Sequence, residues 1–100
     1  MKGLKAEDRV AVSLRRAGAS VEKSPGSKTS ADLIGIWDSG KKWFTQVKYS
    51  GTRNPASPSS NERRALIRRA ENNNGTPVIA KVTPEKIKYS SAKNGRKLTP

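Results

Sequence analysis

ADLIGIWDSGKKWFTQVKYS, residues 31–50, reads as a β-hairpin with polar residues at matching places on its two strands. Asp38, Ser39 and Gly40 are turn formers flanked by β-branched and aromatic runs, which places the turn in WDSGKKW. Alternate side chains of a strand share a face, so Gln46 and Lys48 point the same way as Phe44. Folding the hairpin brings Asp32 beside that pair. A carboxylate, an amide oxygen and an ammonium then converge where a metal ion and a phosphate can be held. The same pattern also fits an ordinary core strand with a polar residue at its mouth, so the rest of the chain has to be weighed with it.

The chain has 100 residues, enough for one core. Its 21 Lys and Arg against 8 Asp and Glu give a net charge of +13, which attracts a polyanion, nucleic acid before an anionic membrane. No apolar run is long enough for a transmembrane helix and no signal peptide is recognisable, so membrane is the weaker partner. The absence of cysteine excludes disulfides and thiolate zinc sites, and the absence of histidine excludes imidazole bases, His-ligated metals and Ser-His triads. Catalysis, if present, runs on carboxylates, lysine and a hard cation such as magnesium. These features together describe a cytoplasmic nucleic-acid binder.

Apolar residues at Ala6, Val10, Leu14 and Ala17 predict a helix over residues 4–17, stopped by Gly18. Residues 20–24 read as a short strand, 25–30 as a polar loop, and 31–37 with 42–49 as the hairpin. The Gly-, Pro- and Ser-rich stretch 50–60 is a loop. Ser59 and Glu62 form a capping box opening a helix over about 60–73, with Leu66, Ile67 and Ala70 inward. A strand follows over 76–83 and another over 87–90, and the chain from Ala92 is expected to fray. The division is thus one domain over 1–91 and a basic tail over 92–100. The order α-β-β-β-α-β defines a mixed sheet flanked by helices. Glu7 falls within about 60° of Val10 and Leu14 on the first helix, near the rim of the core. A first-turn acid that merely complements the helix dipole would look the same.

KGLKAEDRVAVSLRRAGASVEKSPGSKTSADLIGI, followed by FTQVKYS, resembles the archaeal Holliday-junction resolvases and related small nucleases of the PD-(D/E)XK superfamily. The likeness covers residues 2–83 and rests on an ordered set of features. Lys2-Gly3 precedes the helix bearing Glu7, Ala-Gly ends that helix, and a Ser-Pro-Gly-Ser loop leads to the Asp strand. Gln46-Val47-Lys48 closes the hairpin. The resemblance implies a restriction-endonuclease-like fold and a metal-dependent DNA endonuclease, with its roles falling on Glu7, Asp32, Gln46 and Lys48. It implies Mg2+, or Mn2+, held by Asp32, Gln46 and the Val47 carbonyl, with Glu7 acting through a water. Ala31 replaces the family's usual proline at no cost. Gln46 replaces the usual acid, removing a charge from the metal site while keeping a ligating oxygen.

Lys2, Arg9, Lys23, Ser27, Lys28, Ser30, Arg53, Arg63 and Arg64 are candidate phosphate contacts, and no base-reading helix stands out. The expected target is therefore branched or duplex DNA recognised by shape. A homodimer is expected, with its apolar interface on Trp43, Thr45 and Val47 or on residues 78–82. Two other readings stay open. One is a catalytically silent DNA-binding module of the same fold. The other is a basic RNA-binding protein that stacks bases on Trp37, Trp43, Tyr49 and Tyr89.

Overall fold

The structure is a computed structural model that describes residues 6–23, 31–51 and 58–100. Its elements run α1 (Ala6–Arg16), β1 (Ser20–Lys23), β2 (Leu33–Ile36), β3 (Lys42–Tyr49), α2 (Ser60–Asn72), β4 (Thr76–Val82), β5 (Ile87–Ser91) and β6 (Lys97–Leu98). The strands form one mixed sheet in the order β1-β2-β3-β4-β5-β6. All neighbours are antiparallel except β3 and β4, which α2 connects as a parallel crossover. The α-β-β-β-α-β order holds and continues into two further strands.

Helix α1 forms where its sequence supplies a stripe and two ends. Val10, Ala11 and Leu14 are buried, Glu7 and Asp8 occupy the first turn, and Arg15 and Arg16 the last, each charge opposing the local end of the dipole. Gly18 stops the helix at φ +100°, a conformation costly for a residue with a Cβ. The Ala19 N–H donates to Leu14 O (3.0 Å) and the Gly18 N–H to Arg15 O (3.0 Å), the two bonds of a Schellman end. Helix α2 opens on the expected capping box: Glu62 N–H donates to Ser59 Oγ (3.1 Å) and Ser59 N–H to Glu62 Oε1 (2.9 Å). At its far end the Phe44 ring lies against Gly75, where a Cβ would come within 2.5 Å of ring carbons. That close approach explains the glycine.

The β2–β3 hairpin closes as read from the sequence. The Gly40 N–H donates to Trp37 O and the Trp37 N–H to Lys41 O, both at 2.9 Å, with Gly40 at φ +96°. This is a three-residue turn ending in a glycine bulge.

The sheet carries a helix on each face. Val10, Leu14, Leu33, Trp43, Val78, Ala80, Val82 and Tyr89 pack together beneath α1. Phe44, Leu66, Ala70, Ile79 and Ala92 pack beneath α2, joined by Ala31. Residues expected to form a dimer interface are thereby accounted for differently. Trp43, Thr45, Val78, Ala80 and Val82 are buried in the sheet and Val47 is half-buried, because the strand face that looked free is covered by α1.

The segment expected to fray from Ala92 is part of the sheet. The Ala92 N–H donates to Pro77 O (2.9 Å) and the Ser91 N–H to Arg96 O (2.8 Å), a turn through Gly95 at φ +74° follows, and β6 pairs with β5. A two-residue strand inside KNGRKL is too short to show alternation, so its pairing partner, not its own pattern, makes it a strand.

Candidate functional site

Asp32 stands just before β2, where its N–H donates to Thr45 O (2.9 Å). Continuing the Leu33↔Thr45 register by one step sets Asp32 opposite Gln46. The Asp32 side chain then takes the place of a ladder partner. Its Oδ2 accepts from the Val47 N–H at 2.8 Å, which fixes the carboxylate against the strand. The N–H and C=O of one strand residue point to the same side, so the Val47 carbonyl faces the Asp32 side as well.

Gln46 is 7% exposed, and its Oε1 is buried with no hydrogen-bond partner among the described residues. An unpaired buried carbonyl oxygen costs about 1–3 kcal/mol, so this one calls for a ligand. Oxygen donors only (a carboxylate, a carboxamide and a backbone carbonyl) suit a hard divalent cation such as magnesium. No group of three or more His, Cys, Asp or Glu side chains that could hold a metal ion occurs among the described residues.

Lys48 follows on the same face, and here the structure adds a residue that sequence reading treated only as a helix cap. Lys48 Nζ donates to Glu62 Oε1 (3.2 Å) and Oε2 (3.1 Å). The Ser59 N–H and then the Lys48 ammonium hold the Glu62 carboxyl below the usual carboxylate range, so Glu62 is anionic at neutral pH. The parallel crossover delivers the start of α2 over the end of β3, and that is why a cap residue reaches a strand lysine. No spacing in the sequence announces it.

Glu7 is placed otherwise. It lies in the first turn of α1, the helix on the opposite face of the sheet, half-buried, with no hydrogen bond or ion pair among the described residues. Asp32, Gln46, Val47 and Lys48 come together; Glu7 is not joined to them by any bond.

The basic candidates divide similarly. Arg9 donates to Thr83 O (2.8 Å) and Arg63 to Ala92 O (3.0 Å), so at least one nitrogen of each guanidinium serves the fold. Lys23 pairs with Asp8 at 3.4 Å, and Arg64 is exposed. Lys2, Ser27, Lys28, Ser30 and Arg53 lie outside the described residues. Three of the four aromatics considered for base stacking are otherwise engaged. Trp37, Trp43 and Tyr89 pack in a chain with centroids 5.4 and 5.5 Å apart, and Trp37 Nε1–H donates to Ala17 O. Tyr49 alone of these is exposed.

The fold, a mixed six-stranded sheet with a helix on each face, is similar to that of a solved archaeal resolvase. The solved structure of Archaeoglobus fulgidus Hjc, a Holliday junction resolvase from an archaeal hyperthermophile, superposes with a TM-score of 0.78 at 19% sequence identity. The match covers 93% of this chain and 75% of that one. No protein-family model matches the sequence. No curated protein matches it either. No helix among the described residues is long and apolar enough to cross a membrane.

Proposed function

We propose that this chain is a metal-dependent DNA endonuclease of the Holliday-junction-resolvase type. The observation that carries the reading is the buried Gln46 Oε1, without a partner among the described residues, set opposite Asp32 and one step from the Lys48–Glu62 pair, on a resolvase-like sheet. Asp32, Gln46 and the Val47 carbonyl are the residues that would hold Mg2+ or Mn2+. Such an ion, when bound, polarises a phosphoryl oxygen and lowers the pKa of a bound water. Lys48 orients that water or offsets the charge that builds on the phosphate. Glu62 is a positioning residue: its two oxygens fix the lysine.

Incubation with labelled four-way junction and linear duplex, with and without magnesium, tests the proposal. Magnesium-dependent cutting of the junction is expected. Tight binding of either DNA without cutting would establish the silent-module reading instead.

Gln46→Glu gives a second test that does not need turnover. The new carboxylate faces Asp32, so without metal it should lower the melting temperature by like-charge repulsion in a buried place. Magnesium should restore it, and the half-saturating magnesium concentration should fall roughly tenfold, the equivalent of ~1.4 kcal/mol. A variant that melts as wild type and gains nothing from magnesium would remove Gln46 from the metal site.

Two active sites are needed to cut a branched DNA symmetrically, so a two-fold dimer belongs to this reading. Light scattering at moderate salt should give twice the mass of one chain, with salt favouring association by screening the +13 charge. A monomer that still cuts would mark a nicking enzyme.

A further inference from the structure

The α2-facing side of the sheet carries a row of lysines of which only the first, Lys48, is balanced by an acid, Glu62. Lys48 on β3 is in register with Lys81 on β4, and Lys81 with Lys88 on β5. Register partners on neighbouring strands share a face about 5 Å apart, so the row crosses three strands over ~10 Å. Lys97 on β6 sits on the same face, opposite Ser90. Helix α2 lies over β3 and β4 and leaves β5 and β6 open, so Lys81 is half-covered while Lys88 and Lys97 are exposed. An open groove of about 550 Å³ follows this surface, lined by Lys81, Lys86, Lys88 and Lys97 among others.

All eight acidic residues of the chain lie within the described segments. The ion pairs formed there engage Lys23, Lys48 and Lys93, and none reaches Lys81, Lys88 or Lys97. Like charges directly opposite one another destabilise a sheet, and beyond the Glu62 partner of Lys48 no ion pair among the described residues offsets the repulsion. The natural counterion is external. A lysine binds phosphate as a point charge without reading a base, and a line of point charges fits the regularly spaced phosphates of one nucleic-acid strand. A lipid surface fits less well, because no large apolar side chain is exposed on this face among the described residues.

We propose that Lys81, Lys88 and Lys97 form a phosphate track that carries one DNA strand across the sheet away from Lys48. The track rests on the nuclease reading, since it starts at the candidate site. Its test is separate: fluorescence anisotropy of a labelled linear duplex in chelator, titrated over ~50–200 mM salt. Replacing all three with glutamine (Lys81→Gln, Lys88→Gln, Lys97→Gln) should reduce the slope of log affinity against log salt by about 2–3. Its melting temperature should equal or exceed that of wild type. The exposed Lys88→Gln alone, which touches no packing, should reduce the slope by about 1. A control that removes three exposed charges elsewhere (Arg15→Gln, Arg16→Gln, Arg96→Gln) should change it less. An unchanged slope in the row variants, an equal change in the control, or binding to phosphatidylserine vesicles in place of DNA would overturn the track. Wild-type protein that binds with the row-dependent slope but cuts nothing in magnesium would support the track and overturn the nuclease reading alone.

Discussion

Asp32→Ala is expected to lower magnesium-dependent cleavage by at least ~10²–10³-fold, the loss typical of removing a group that acts on charge in the transition state. DNA affinity in chelator should stay near the wild-type value, because the charge lost faces the metal ligands rather than the phosphates. The alanine also orphans the Val47 N–H, which now donates to Asp32 Oδ2, and that costs about 1 kcal/mol of stability. Asp32→Asn separates the two effects. It keeps an oxygen for the Val47 N–H while removing the negative charge, so it should melt close to wild type and still fail to cut. Undiminished cleavage by either variant would remove the site assignment.

Leu66→Ala should have the largest effect on stability. Leu66 is fully buried and is the main apolar anchor of α2 against Phe44 and Ile79. Large-to-small changes at such positions cost about 2–5 kcal/mol, a large share of the ~5–15 kcal/mol that holds a domain together. For a chain of this size that is a fall in melting temperature of roughly 10 °C or more. Thermal melting by circular dichroism reads it directly, and a melt within a degree or two of wild type would mean that α2 is not held by this contact. The consequence reaches the site as well. Loosening α2 displaces Glu62 from Lys48, so cleavage at temperatures below the melt should weaken more than DNA binding does.

Most of the fold was legible because its signals are local. The stripe Val10, Leu14 and the stop at Gly18 needed only helical periodicity and the steric freedom of glycine. The hairpin needed only Asp-Ser-Gly between alternating runs, and α2 announced itself through Ser59 and Glu62. The site was half legible. Alternation placed Gln46 and Lys48 on one face, and the hairpin brought Asp32 to them. What escaped depends on contacts far apart in sequence. Whether a strand face is core or surface is decided by which helix lands on it, and so the apolar residues of β3 and β4 could be mistaken for an interface. Glu62 reads as a cap and nothing more until the crossover sets α2 over β3. The lysine row is invisible for the same reason, since Lys48, Lys81 and Lys88 become neighbours only through the register of three strands.

The two rims of the sheet set a limit on how copies of this chain can meet. Among the described residues, one rim is β6, only two residues long and bearing Lys97, and the other is β1, four residues that include Glu22 and Lys23. A strand that short offers few open backbone groups, and charges along it repel a second copy aligned beside it. Growth of the sheet from molecule to molecule along these described rims is thereby disfavoured. Side chains on helices or loops are then the better material for pairing two copies, with the partner's orientation set by shape and charge instead of by a shared ladder of backbone hydrogen bonds.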